Sequence, residues 1–242
     1  MAAANNATDL LVTNFGSNLI TQVSAGNGAT IISYPVKLGG STFTLSNGDL
    51  ATGCADNESG NICENYKMYY IANGTPGVAS GTVFEANFQG TDVVLTEKFN
   101  AGYAGHLALN GNNGNIYVIE ASGSEIKTFQ PDGTLIRTVP ISGLNSTYAM
   151  AWDPLDGHVF VGSSDANKVY KLDPILGTHY EFAPSVPVHG GDIVVNGTQI
   201  LLIERQGAQS KVHDISTGDD VLISNVAGEV NGATKTVDEK LI

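Results

Sequence analysis

Residues 106–141 read HLALNGNNGNIYVIEASGSEIKTFQPDGTLIRTVPI, and residues 149–182 read AMAWDPLDGHVFVGSSDANKVYKLDPILGTHYEF. The two stretches align over their whole length. Leu107 matches Met150, Leu109 matches Trp152 and Gly114 matches Gly157, while Ile116-Tyr117-Val118 matches Val159-Phe160-Val161. A third copy starts at Asp192 with DIVVNGTQILLIERQGAQSKVHDISTGDDVLI. Internal repetition at about 40–45 residues is the period of stacked or radial repeat folds.

Two earlier copies are weaker. Residues 9–36 match the repeat from Asn115 onward but lack its first strand. Residues 43–99 carry another copy, in which FTLSNGDLATG resembles LALNGNNGNIYVIE and VFEANFQGTDVVLTEKF resembles IKTFQPDGTLIRTVPI. On this alignment an insertion at about residues 54–80 interrupts the copy and holds both cysteines. Each copy has four short runs rich in β-branched and aromatic residues, separated by Asn-Gly, Asp-Gly and Thr-Gly turns. No sustained 3.6-residue period appears, so almost no helix is expected. Four strands per repeat predict an all-β, single-domain β-propeller of four-stranded antiparallel blades over residues 1–242. One blade cannot bury its own faces, which explains the strongly apolar middle strands.

The copy GNIYVIEASGSEIKTFQPDGTLIRTV resembles the NHL-type repeat of the TolB-like/NHL superfamily, best over residues 104–184. That resemblance implies a propeller, and such propellers usually have six blades. Five copies are counted here. The end of the chain, GATKTVDEKLI, holds a segment at Ala233–Asp238 that reads like a first strand. It could pair with Asp9–Phe15 and complete the first blade, removing two open sheet edges. Five closed blades are therefore expected, with six blades or a truncated larger propeller as the alternative.

Composition sets bounds on function. Lys and Arg number 11 against 24 Asp and Glu, a net charge of −13. So acidic a chain repels nucleic-acid phosphates and anionic headgroups, so neither is an expected partner. No run of about 18 apolar residues exists, so membrane insertion as a helix is not expected. Met1-Ala-Ala-Ala lacks the basic start and apolar stretch of a signal peptide. Few charges with many Gly, Asn and Thr point to an extracellular or cell-surface protein. Cys54 and Cys63 sit among loop residues and fit a local disulfide, two free thiols being the alternative. Sequons at Asn57, Asn73 and Asn145 are candidate N-glycosylation sites in a secreted protein.

In a blade, the start of the first strand and the end of the second ring one channel mouth. His106, Glu120, Asp192 and Glu204 fall at those positions. Carboxylates so placed suit Ca²⁺, and His among them a transition metal. The competing reading has Glu120 and Glu204 accepting hydrogen bonds in the turns. No G-x-S-x-G elbow or H-E-x-x-H is present. Trp152, among small neighbours, reads as a packing residue. Tyr66, Met68, Tyr69 and Tyr70 form an aromatic run in the insertion, suited to a binding interface, or else to a strand of the second blade. The leading functional expectation is non-catalytic binding or assembly with protein, glycan or further copies of the chain. The alternative is a metal-dependent lactonase- or lyase-like enzyme working at the channel mouth.

Overall fold

The computed structural model describes residues 9–54, 66–186, 191–205 and 209–235, with only the backbone of Cys54. The strands are β1 (Asp9–Asn14), β2 (Leu19–Ser24), β3 (Thr30–Leu38), β4 (Ser41–Thr42), β5 (Asn47–Cys54), β6 (Tyr66–Asn73), β7 (Thr82–Gln89) and β8 (Asp92–Asn100). They continue as β9 (Gly105–Leu109), β10 (Ile116–Glu120), β11 (Glu125–Phe129), β12 (Leu135–Pro140), β13 (Thr147–Trp152), β14 (Val159–Ser163), β15 (Lys168–Leu172) and β16 (His179–Ala183). The last are β17 (Asp192–Asn196), β18 (Gln199–Glu204), β19 (Gln209–Asp214), β20 (Val221–Ala227) and β21 (Val230–Lys235). No helix occurs among the described residues.

Strands β9–β12, β13–β16 and β17–β20 each form a four-stranded antiparallel sheet in chain order. The remaining strands form one larger sheet along the path β21-β1-β2-β3-β8-β7-β6-β5. That path joins two antiparallel four-strand runs through a parallel pairing of β3 with β8, from Val36↔Val93 to Leu38↔Leu95. Strand β21 pairs antiparallel with β1, from Leu10↔Lys235 to Thr13↔Gly232. The C-terminal segment thus supplies the strand that the first copy lacks.

First strands touch in a closed circuit: β21 meets β5, β5 meets β9, β9 meets β13, β13 meets β17, and β17 meets β21. Apolar clusters fill the spaces between consecutive four-strand units. Leu10 and Val12 pack with Val194, Leu201 and Ile203, whereas Leu11 between them packs with Leu50, Tyr70 and Phe84. Alternate residues of one strand thus enter two different cores, as period-two side chains must when both faces are covered. This accounts for the unbroken apolar runs in the repeats.

Three expectations for residues 54–80 are corrected. Residues 66–73 are strand β6, so what lies between β5 and β6 shrinks to residues 55–65. Cys54 ends a first strand, whereas the alignment of FTLSNGDLATG with LALNGNNGNIYVIE places it at the end of a second strand by taking Asn47-Gly48 as a turn. Gly48 lies in β5 opposite Ala72, and a Cβ there would sit 2.3 Å from the Ile71 carbonyl oxygen. The aromatic run is core, not interface. Met68, Tyr69 and Tyr70 are buried, with Tyr70 completely inaccessible. Tyr69 is pushed up to about 12 by burial and then by the charge of Glu85. The Tyr70 hydroxyl accepts the Ser46 N–H at 3.1 Å. Tyr66 alone of the four is partly exposed.

Close approach between units puts a sharp demand on Gly28, in the β2–β3 turn. Its φ is +70°, and a Cβ there would lie 1.6 Å from the Asn225 carbonyl oxygen of β20. The adjacent Ala25 carbonyl accepts the Ser224 hydroxyl at 2.6 Å. Gly28→Ala therefore combines left-handed strain with a backbone clash. A loss of at least about 1–3 kcal/mol is expected in urea unfolding. Wild-type stability would show that the turn moves away freely.

Candidate functional site: the central channel

First strands of neighbouring units contact each other without forming a ladder. Inward-facing backbone N–H groups therefore need other acceptors. Two buried aspartates supply them. Asp49 on β5 accepts its own neighbour's Leu50 N–H at 2.8 Å and reaches across to the Leu107 N–H of β9 at 3.0 Å. Asp192 on β17 accepts Ile193 N–H at 2.7 Å and the Ala233 N–H of β21 at 2.6 Å. Asp49 is 0% exposed and Asp192 1%. Their carboxyls also hydrogen-bond each other. Burial first, and then the charge of Asp49, hold Asp192 well above the usual carboxylate range. A single shared proton follows, as it must when two buried carboxyls meet.

His106 lies beside this pair. Its Nε2 donates to the Thr147 carbonyl at 3.1 Å, and its Nδ1 is buried without a hydrogen-bond partner, 3.6 Å from Asp49 Oδ2. The other expected metal ligands are elsewhere. Glu120 accepts the Ser122 hydroxyl at 2.6 Å and also the Ser124 hydroxyl. Those two hydroxyls hold its carboxyl below the usual range. Glu204 faces its own sheet, 3.3 Å from His213 Nε2 and 3.4 Å from Lys211 Nζ, and His213 Nδ1 meets Asp220 at 2.6 Å. The four expected ligands do not converge. Among the described residues no three His, Cys, Asp or Glu side chains gather to hold a metal ion. The second-strand ends turn their carboxylates into local turns and sheet partners instead of the axis.

Directly above the carboxyl pair, one residue further along each first strand, a cavity of about 270 Å³ opens. Leu50, Leu109, Met150, Trp152, Val194 and Ala233 line it, one or more from each first strand. It lies toward the C-terminal ends of those strands, away from Glu120 and Glu204. Tyr66 also lines it, and its hydroxyl donates to Thr52 Oγ1 at 3.2 Å. Sequence reading missed both the cavity and Asp49. Once β5 is aligned as a first strand, Asp49 comes to the register of His106 and Asp192, and that register was the available signal.

Among the modification sites, Asn73 is engaged. Its side chain donates to the Gly105 carbonyl at 2.7 Å and accepts the Gly105 N–H at 3.1 Å, bridging two sheets. Glycosylation there would break both bonds. Asn145 is exposed. Asn57, Cys63 and the Cys54 side chain lie outside the described residues.

Similar solved structures include a protein of unknown function from Bacteroides caccae, with a TM-score of 0.58 and 16% identity over 96% of this chain and 100% of that one. A chain of a nidogen–laminin complex matches with a TM-score of 0.53 and 14% identity, over 96% of this chain and 100% of that one. The fold is a β-propeller. No family model matches the sequence, and neither does any curated protein. At such identities the likeness concerns architecture only.

Proposed function

We propose that the chain is a five-bladed, NHL-like propeller, secreted or held at a cell surface, that acts by non-catalytic protein binding and assembly. The low charge content and the Gly-, Asn- and Thr-rich surface support the extracellular setting. The closed circuit of first strands supports the blade count.

The observation that carries the reading is the rim. Outer strands begin with exposed apolar residues at equivalent places: Ile31-Ile32, Leu135-Ile136 and Val221-Leu222, with Tyr180 in β16. Val221 is 56% exposed and Leu135 50%. Among the described residues, β12, β16 and β20 are paired on one side only. Strand β20 carries neither a charge nor a proline, the usual protection of an open edge. Strands β3 and β8 already pair outer edge to outer edge within the chain, so such edges are mutually compatible. Aliphatic surface of this kind favours a protein partner over a glycan, and a second copy of the chain is the partner proposed.

Light scattering on a concentration series tests this. Wild-type protein is expected to self-associate, and Leu135→Lys with Leu222→Lys to stay monomeric at unchanged melting temperature. A wild-type protein that remains monomeric at every concentration overturns the reading.

A further inference from the structure

Two turns of one design leave the same end of the β13–β16 sheet. Asp153-Pro154-Leu155-Asp156-Gly157 lies between β13 and β14, and Asp173-Pro174-Ile175-Leu176-Gly177 between β15 and β16. In each, the first aspartate's side chain accepts the N–H two residues on, Leu155 at 2.9 Å and Ile175 at 2.7 Å. Its carbonyl accepts the N–H of the glycine that follows, Gly157 at 3.0 Å and Gly177 at 2.9 Å. Trp152, Val159, Leu172 and His179 lie side by side across the four strands. The turns therefore stand two strand spacings apart, about 10 Å. Their tips are held out in water. Leu155 is 70% exposed, Leu176 68% and Ile175 59%, the three most exposed large apolar residues among those described. The fold does not require this. The corresponding turns of the β9–β12 and β17–β20 sheets, residues 110–115, 130–134, 197–198 and 215–220, present no exposed large apolar residue. Aliphatic side chains fixed on rigid turns lose little freedom when covered, which favours docking.

Charge decides what covers them. None of these six turns carries a Lys or Arg. Asp132, Asp156, Asp219 and Asp220 stand exposed on them, and Asp173 half-exposed. Lys171 reaches the β13–β14 turn, but there one cation serves two carboxylates, Asp153 at 2.6 Å and Asp156 at 2.7 Å. A second copy would set the same aspartates against themselves, and an anionic bilayer would add its own charge. A cationic surface is instead attracted. We infer that the two turns of the β13–β16 sheet dock a basic protein segment. Its aliphatic or aromatic side chains cover Leu155, Ile175 and Leu176, and its Lys or Arg side chains meet the flanking aspartates. The docking does not depend on self-association through the rim.

A short peptide of Leu and Lys is the probe, with Leu–Glu and Ser–Lys peptides of the same length as controls. The chain should bind the Leu–Lys peptide saturably and the controls at least about tenfold more weakly. Added salt should weaken the binding. The combined change Leu155→Ser, Ile175→Ser and Leu176→Ser touches exposed side chains only. It should melt like wild type and bind the Leu–Lys peptide at least about tenfold more weakly. Should it melt lower, Leu155→Ser alone repeats the measurement, with a loss of at least about threefold expected. Leu135→Ser with Leu222→Ser should keep the wild-type affinity, which separates the turns from the rim. No saturable binding, an equal response to either control peptide, undiminished binding in the turn variant or an equal loss in the rim variant overturns the docking surface. So does retention on phosphatidylcholine vesicles that the turn variant abolishes, since the tips would then be a membrane contact. Self-association is read separately by scattering without peptide, so either idea can fail alone.

Discussion

Removal of residues 230–242 is expected to abolish cooperative folding. Strand β21 is joined to the far end of the chain, and its bonds cannot be replaced locally. It pairs with β1 over Leu10–Thr13, and the Thr13 hydroxyl donates to the Gly232 carbonyl at 3.2 Å. It also closes the circuit by touching β5 on one side and β17 on the other. Val230 and Ala233 are buried in the cluster formed by Leu10, Val12, Val194 and Ile203. Without β21 that cluster faces water, and the N–H groups of β1 that it satisfies are left without partners. Each buried group so orphaned costs about 1–3 kcal/mol. A few such losses together with exposed Leu and Val side chains consume a total stability of about 5–15 kcal/mol. Joining the two chain ends is by contrast inexpensive, since loop-closure entropy grows only logarithmically with length. Urea unfolding followed by circular dichroism should show a broad, non-sigmoidal change, and size exclusion should show aggregates formed through the freed β1 edge. A truncated chain with the parent's midpoint and slope would mean that β21 is an ornament on an already complete ring.

Much of this architecture was legible because propeller strands alternate between two cores. The runs LLV, IYVI, VFV and ILLI are apolar throughout, and their spacing recurs with Gly-containing turns. The register of the second copy was not legible. Asn47-Gly48 has the composition of a hairpin turn, yet Gly48 serves a different need, giving room to the Ile71 carbonyl and the Tyr70 ring. Reading it as a turn displaced Asp49 from the axis and put the tyrosines of β6 in an insertion. The metal-site expectation failed for a related reason. Position in a blade predicts which end of a strand a residue occupies, but local partners decide where its carboxylate points. Ser122 and Ser124 lie two and four residues from Glu120 and capture it, and His213 captures Glu204 across the sheet. The parallel joining of β3 and β8 had no sequence signal, since it depends on two outer strands from different copies meeting in space.

The contribution of Asp192 to stability is expected to fall as the pH rises out of the acid range, and Asp192→Asn is expected to remove that contribution. In the folded chain Asp192 is held protonated by burial and by Asp49, well above its ordinary value of 3.8. Unfolded, it would lose its proton near that ordinary value. Between the two values the native state binds more protons than the unfolded state, so each step up in pH favours unfolding. The stabilising contribution is complete below the unfolded value and is lost as pH rises through the folded one. The groups facing the pair are few. His106 Nδ1 lies 3.6 Å from Asp49, and Tyr148, raised by burial and then by Asp192, stays protonated throughout. An asparagine at 192 has one acceptor oxygen where the carboxyl presents two, so it serves only one of the Ala233 and Ile193 N–H groups, which meet different oxygens of Asp192. It should therefore be less stable than wild type in acid, by about 1–3 kcal/mol for the N–H left unpaired, and lose less stability than wild type as the pH rises. Asp192→Ala is the contrasting case, because it strands both N–H groups at about 1–3 kcal/mol each at every pH. Urea midpoints of the three proteins across a pH series separate these outcomes. An Asn variant that retains the wild-type slope would place the titrating group elsewhere, and an Ala variant of wild-type stability would mean that β21 does not depend on Asp192 for its hold on the ring.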